Sequence, residues 1–189
     1  MCNNRYFEFE QKLAFHTAPS LLGIKCASLM SIARDSFDEM YLELFNCRAA
    51  VKGLRIKILC MCEERVLLLL YNENKLAAQL SREECRGVLR IYGYADSMDM
   101  EACLERLSVR IGENRDFPHE IGIFLDYPVE DVEGFIKHNG CNFKLCGYWK
   151  VYGDTTRAQR TFENYNRCRK FLCSRLRQGD DIYHALKIS

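Results

Sequence analysis

The sequence predicts an α+β fold, in which a single domain (1–189) holds a mixed sheet of four to five strands flanked by helices. Two adjacent apolar runs of strand length, residues 54–62 and 65–71, predict a hairpin. Helical periodicity recurs on both sides of that hairpin, and strand and helix patterns alternate over residues 117–178 as a βαβα run. With 189 residues, of which 48% are hydrophobic, the chain is long enough for one core.

The N-terminal part, residues 1–53, predicts two helices around one strand. Residues 6–15 form the first helix, which ends before His16 because the nearby proline favours extended backbone. A buried strand is expected around residues 26–30. Asp35 or Ser36 caps the next helix, whose apolar spacing continues to residue 49 before Gly53 ends it.

The hairpin part, residues 54–72, has a nearly continuous apolar second strand, which indicates a central position in the sheet. The connection, residues 73–112, predicts helices at 75–80, 82–89 and 98–111. Ser81 and Glu84 have the spacing of a capping box before the second of these helices.

The C-terminal part predicts strand, helix, strand and helix in turn. Residues 121–125 form the first strand, and Pro128 starts a helix that runs to residue 138, where an Asn-Gly pair ends it. Residues 143–152 form the second strand. The final helix runs from about residue 157 to 177.

Composition and charge restrict the classes of function. The net charge of +1 gives no overall field toward nucleic acid, so we expect no nucleic-acid partner. No apolar run approaches the roughly 20 residues that span a membrane, and no secretory signal begins the chain, so we expect a cytoplasmic protein without a membrane partner. Eleven cysteines in that setting indicate reduced thiols; the sequence leaves open whether Cys168 is buried or reactive.

The segment of residues 117–128 is the first candidate for a site. It puts His119 and Glu120 at the entrance of the predicted strand, where functional groups are common. A protease motif HExxH is excluded, since position 123 is Ile. Two interpretations remain. In the first, His119 acts as a general base or metal ligand with Glu120 as its partner and Tyr127 or Tyr148 as an acid. In the second, His119 only ties down the strand entrance.

Two further residues extend this candidate site. His16 could join His119 and Glu120 as an open iron(II) site of two histidines and one carboxylate, although the sequence does not show that the histidines meet. Lys25 is a lone cation in an apolar stretch. It either holds an anionic ligand or pairs with a core carboxylate such as Glu120 or Asp126.

An aromatic strand is the third candidate. In an extended strand Tyr148, Lys150 and Tyr152 share one face, which could stack a flat cofactor such as flavin or haem. Ordinary packing of aromatic side chains in a sheet is the competing interpretation.

The last helix carries a basic face formed by Arg160, Arg167, Lys170 and Arg177. Such a face is either simply solvated or docks an acidic protein partner.

Three stretches together resemble a known family. They are residues 16–25, residues 117–136 and residues 147–154, and the resemblance extends over nearly the whole chain. The family is an uncharacterised one of small cytosolic proteins from anaerobic Firmicutes, classified as a domain of unknown function. One departure is Asp126, where the family pattern has glycine.

The resemblance carries no established activity, and whether the protein is an enzyme stays open. Association of the family with ferrous-iron transport and flavodoxin genes implies a role in iron or redox physiology. We therefore expect a cytosolic accessory protein that binds a small ligand, metal or cofactor (iron, haem or flavin). The alternatives are an enzyme that uses His119 and an interaction module whose basic helix docks an acidic redox protein such as a flavodoxin.

Overall fold

The computed structural model describes residues 2–113 and 117–188, and the side chains of residues 5–112 and 117–188. The chain divides into two compact units. Unit 1 comprises Met1–Lys75 and Tyr165–Ser189, and unit 2 comprises Leu76–Asn164. The predicted combination of helices and sheet is confirmed, whereas the single domain stays a prediction.

Unit 1 is built on a three-stranded antiparallel sheet in the order β1-β3-β2. The strands are β1 (Ala27–Ala33), β2 (Leu54–Met61) and β3 (Arg65–Asn72). The predicted hairpin and the central position of its second strand are both confirmed. Val66, Leu68 and Leu70 alternate along β3 toward the core, as the period of two in a strand requires.

Helices cover this sheet within unit 1. They are α1 (Cys2–Leu21), α2 (Glu39–Ala49), the C-terminal half of α8 (Thr155–Arg177) and α9 (Ile182–Ala185). The core also holds Phe45, Leu172 and Tyr183, all almost fully buried. Burial of this apolar surface is the main stabilising contribution to the unit.

Helix α1 is longer than the sequence predicts. It does not end before His16 but continues through Pro19 to Leu21, so the backbone of His16 is helical. Leu13, Ala18 and Leu21 keep one face of the helix buried through this stretch. The burial outweighs the cost of a proline near the helix end, where only the last turn is affected.

Two predicted caps are wrong. The side chain of Asp38 caps α2 by accepting from the Met40 amide, while Asp35 and Ser36 lie in a short 3-10 turn. Ser81 donates its hydroxyl back to the Ala77 carbonyl, so no capping box forms before the following helix.

Unit 2 contains most of α3 (Glu73–Leu80), then α4 (Glu83–Ile91), α5 (Met100–Glu113), α6 (Ile121–Phe124) and α7 (Val129–Lys137). A short antiparallel ribbon follows, formed by β4 (Leu145–Cys146) and β5 (Lys150–Val151), and the N-terminal part of α8 closes the unit. No helix of the described residues is long and apolar enough to cross a membrane.

The predicted βαβα run and the four- to five-stranded mixed sheet are wrong. Residues 121–124 form a fully buried helical turn, because a short continuous apolar run does not distinguish a buried strand from a buried helix. The second predicted strand folds back on itself, with the Gly147 amide donating to the Trp149 carbonyl over 3.1 Å. Tyr148, Lys150 and Tyr152 therefore do not share the face of one strand.

Candidate functional site

A cavity of about 330 Å³ lies within unit 2, between α6, α7 and the ribbon. Its volume is in the range of cavities that hold small molecules. Most of its lining is apolar or aromatic. The lining residues are Phe117, Pro118, His119, Ile121, Gly122, Tyr127, Asp131, Val132, Phe135, Cys146, Gly147, Trp149 and Lys150.

Asp131, in the first turn of α7, fixes the ribbon in place. Its Oδ2 accepts a hydrogen bond from Trp149 Nε1 over 2.7 Å. Its Oδ1 accepts from the amides of Tyr152 and Gly153, over 2.7 and 2.8 Å. The side chain is buried, and three donors compensate the cost of burying its charge. The acid thus belongs to the framework of the cavity.

One wall of the cavity consists of stacked aromatic rings. Trp149 stacks on Tyr127 with their centroids 4.9 Å apart and an interplanar angle of 27°. The rings of Trp149 and Phe162 form a T-shaped contact, with their centroids 4.6 Å apart. The Tyr127 hydroxyl donates to the Tyr148 carbonyl over 3.2 Å, and burial raises the pKa of Tyr127 to about 12. The hydroxyl therefore stays protonated near neutral pH and anchors the wall, which is a poor arrangement for a general acid.

Two glycines allow these rings to pack closely. A Cβ at Gly147 would collide with the ring of Phe162, and a Cβ at Gly122 would lie 2.7 Å from Val132 Cγ2. Any side chain at Gly147 would displace Phe162 or the turn of the ribbon. The turn can lie against α8 in this way only because position 147 has no side chain.

The polar groups of the cavity gather around Phe135. The ring of His119 meets Phe135 edge-on, with centroids 4.9 Å apart. The ammonium of Lys150 lies 5.6 Å from the same ring and 5.1 Å from that of Phe143. It donates a hydrogen bond to the Gly140 carbonyl over 2.7 Å. Because an ammonium has three donors, this bond leaves Lys150 the capacity to meet a ligand.

Cys146 is the third polar group. It pairs directly with Lys150 across the ribbon, so their side chains project from the same face. Cys146 is an exposed residue with a free thiol, and it is part of the cavity lining. No disulfide joins any of the cysteines whose side chains are described. Cys168 is buried, and burial raises the pKa of its thiol, which makes it a weak nucleophile.

Glu120 does not line the cavity, although it is the neighbour of His119. It is completely buried, forms an ion pair with Arg110, and accepts a 3.3 Å hydrogen bond from the Tyr94 hydroxyl. Its Oε2 has no hydrogen-bond partner within the described part of the chain. Burial and the charge of Glu120 raise the pKa of Tyr94. Glu120 is thus committed to a buried network in unit 2, and His119 faces the cavity without it.

The other predicted ligand-binding residues lie in different places. Tyr152 stacks on His138 with ring centroids 5.7 Å apart, and Tyr148 packs against Phe162 with ring centroids 5.6 Å apart. Neither tyrosine is part of the cavity lining. Of the aromatic-strand candidates only Lys150 reaches the cavity directly.

The predicted candidates His16 and Lys25 belong to unit 1. His16 is exposed on α1, and local desolvation together with the charges of Arg169 and Lys12 lowers its pKa. Lys25 is buried, with its ammonium 5.7 Å from the centre of the Tyr165 ring. Among the described residues, no group of three or more His, Cys, Asp or Glu side chains is arranged to hold a metal ion.

Most of the cavity was not predicted from the sequence. Trp149, Phe135, Cys146 and Asp131 were not expected as members of a site. A usable signal was the single tryptophan, since a buried indole needs an acceptor for its N–H. The departure at Asp126 also has a geometric meaning: its φ of 58° is in the left-handed region, which favours glycine and tolerates Asp.

The sequence pattern of a protein family described as "Protein of unknown function (DUF3793)" matches residues 13–186. The chain belongs to this family. The resemblance inferred from the sequence is thereby confirmed at the level of an uncharacterised family. No curated protein and no solved structure is significantly similar to the chain. Membership in DUF3793 assigns no reaction or ligand, so the function of this member must be argued from its own geometry.

Proposed function

We propose that this DUF3793 member binds a small, flat and mostly apolar molecule that carries an acidic group, in the cavity of unit 2. The observation that carries the proposal is the joint presence of the Trp149–Tyr127 stack and the Lys150 ammonium in one lining. Aromatic walls favour a flat ligand, and a few polar groups orient it.

The acidic group follows from the charges around the cavity. Lys150 is the one lysine or arginine in the described lining, and its hydrogen bond to Gly140 goes to a neutral carbonyl. The carboxylate of Asp131 is in the lining too, but its oxygens accept three hydrogen bonds from the protein. A ligand anion beside Lys150 would form a charge-assisted hydrogen bond, which is stronger than a neutral one. His119, which also contacts Phe135, would supply a second polar contact.

The single tryptophan makes the proposal directly testable. Trp149 gives one indole N–H signal in a nitrogen-15 correlation spectrum, and that signal lies in the cavity wall. We would titrate with 2-naphthoate and, as a neutral control of the same shape, 2-naphthamide. Saturable movement of the signal with naphthoate, and weaker binding of the amide, supports the proposal. Equal affinities, or no movement with either probe at millimolar concentration, contradicts it.

Among the expected cofactors, flavin fits this proposal best. Flavin mononucleotide combines a flat ring with an anionic phosphate, whereas the described residues offer iron no ligand group of three. Anaerobic purification, followed by an absorption spectrum and elemental analysis of the same sample, tests the role in iron or redox physiology. Bound flavin supports it; a colourless sample free of iron removes the support for the redox part while leaving other flat acids to be tested. We also propose that the protein acts in the cytoplasm.

We also propose a second function, docking of an acidic protein partner on α8. The supporting observation is that Arg167, Lys170 and Arg177 are exposed and have no ion pair among the described residues; Arg160, on the same helix, is exposed in the same way. An acidic redox protein such as a flavodoxin has the matching charge. Raising the salt concentration should weaken such a complex. The double variant R167E/K170E should abolish binding of the acidic partner. The control variant R34E, on another exposed part of unit 1, should leave that binding intact. If binding persists at high salt and in R167E/K170E, α8 is not the docking surface.

A further inference from the structure

A second cavity lies within unit 1, and the proposed function does not use it. Its volume is about 320 Å³. Leu21, Leu54 and Leu186 are buried side chains in its lining and give it an apolar floor. Lys52 and Lys187 line it as well, and none of its described lining residues is acidic.

We propose that this cavity binds a small amphiphilic carboxylate. The apolar chain of the ligand would lie on the three leucines and against the half-exposed ring of Phe171. Its carboxylate would sit between the ammonium groups of Lys52 and Lys187. Neither ammonium has a hydrogen bond or ion pair within the described part of the chain, so both can meet an anion.

The backbone of Lys187 supports a role for its side chain. Its φ is 55°, in the left-handed region that strains residues other than glycine. The amides of Lys187 and Ile188 bond to the carbonyls of His184 and Tyr183, over 3.0 and 2.9 Å, and so cap the end of α9. Glycine is the common residue at such a capping position. In our proposal, lysine replaces glycine at this position because its ammonium meets the ligand.

The end of α1 lies beside this cavity, and a helix C-terminus carries partial negative charge that repels an anion. Helix α1 ends at Leu21, and Leu21, Leu22 and Gly23 are part of the lining. One of its last carbonyls, that of Pro19, is already occupied, since it accepts from the amides of Ile24 and Lys25. The ammonium of Lys75 donates to the Gly23 carbonyl over 2.6 Å and adds a positive charge at this end. Because Lys75 already offsets the negative charge at this helix end, Lys52 and Lys187 are not needed for it and remain available to the ligand.

The experiment is a titration of the full chain with octanoate, compared with octan-1-ol as a neutral probe of the same length. Binding is followed by calorimetry and by the amide signals of Gly23 and residues 186–188. We expect octanoate to bind at least about tenfold more tightly than the alcohol, since charge-assisted hydrogen bonds are added to the same apolar contact. The signals at Gly23 and at 186–188 should move together.

Two variants distinguish a binding role of Lys187 from a structural one. Lys187→Gly removes the ammonium and suits the left-handed backbone, so it should weaken octanoate binding without lowering the melting temperature. Lys52→Met should weaken it as well. The variants K170M and K150M, which alter a surface lysine of α8 and the cavity of unit 2, should bind octanoate as the natural chain does.

Four results would each overturn the proposal. The first is absence of any octanoate binding at millimolar concentration, and the second is equal affinity for octanoate and octan-1-ol. The other two are full octanoate affinity in K187G and signal changes confined to residues outside this cavity. K150M alters the lining of the cavity in unit 2 and leaves the cavity in unit 1 unchanged. A negative result with octanoate therefore does not affect the naphthoate test of the cavity in unit 2.

Discussion

Asp131 Oδ2 and Trp149 Nε1 are joined by a hydrogen bond of 2.7 Å between α7 and the turn of the ribbon. The same carboxylate holds the two amides that follow β5, so one side chain sets the position of the whole turn. The shape of the cavity in unit 2 depends on this contact, because Trp149 forms the wall that meets Tyr127.

Replacing Asp131 with Asn should destabilise the fold. An amide keeps one acceptor oxygen but puts an NH2 group where a carboxylate oxygen now accepts hydrogen bonds. Loss of a buried, charged acceptor costs about 2–4 kcal/mol. Urea unfolding measures the change, with E133Q on the exposed face of the same helix as the control. Equal stability of D131N and E133Q would contradict the structural role of Asp131.

A side chain at Gly147 should disturb the aromatic wall. The added methyl group of Gly147→Ala overlaps the Phe162 ring, and overpacking of this kind costs about 1–3 kcal/mol. Gly87→Ala is the matched control, since a Cβ there meets nothing within 4 Å and the position is inside α4. It should stabilise the protein by up to about 1 kcal/mol. Thermal unfolding should show a lower melting temperature for G147A and a higher one for G87A than for the natural chain. An unchanged melting temperature in G147A would argue against the close packing of Gly147 on Phe162.

Glu10 predicts a pH dependence of stability. Burial raises the pKa of Glu10 from 4.5 to about 7. A 3.3 Å hydrogen bond from the Ile182 amide lowers the pKa, but by less than burial raises it. A folded pKa above the unfolded one gives stability that is complete below pH 4.5 and is lost as the pH rises through about 7. Glu10→Gln keeps an acceptor for the amide and removes the titration.

E10Q should therefore gain stability over the natural chain as the pH rises from about 5 to 8, by about 2 kcal/mol. Urea unfolding at both pH values measures it. Exposed Glu8→Gln on the same helix is the control for the loss of a carboxylate at a position that is not buried. A stability difference between E10Q and the natural chain that stays constant with pH would contradict the raised pKa of Glu10.

The sequence predicted those parts of the fold that depend on local signals. The hairpin of β2 and β3 follows from apolar patterns on both sides of a charged turn, and α7 follows from Pro128 before it and Asn139 and Gly140 after it. The buried run at residues 121–124 gave no such signal, because strand and helix bury an apolar segment equally well.

The site was predicted only where its residues are polar and close to a turn. His119 and Lys150 line the cavity, and both were candidates. Phe135 joins them from α7. Trp149 joins them through a ribbon turn that depends on Gly147 packing against Phe162, a contact between residues distant in sequence. Glu120 was assigned to the site because it is next to His119. Its burial with Arg110 and Tyr94 depends on tertiary contacts of α5 and of the connection before it, which the sequence alone does not show.

The most direct test of the proposed ligand site is the affinity of Lys150→Met for 2-naphthoate, read from the indole signal of Trp149. Lys137→Met, which removes an exposed lysine at the end of α7, is the matched control. We predict that K150M lowers naphthoate affinity at least about tenfold and leaves naphthamide unchanged, as expected for loss of one charge-assisted contact. Natural affinity for naphthoate in K150M, or an equal loss in K137M, would contradict the assignment of Lys150 to ligand recognition.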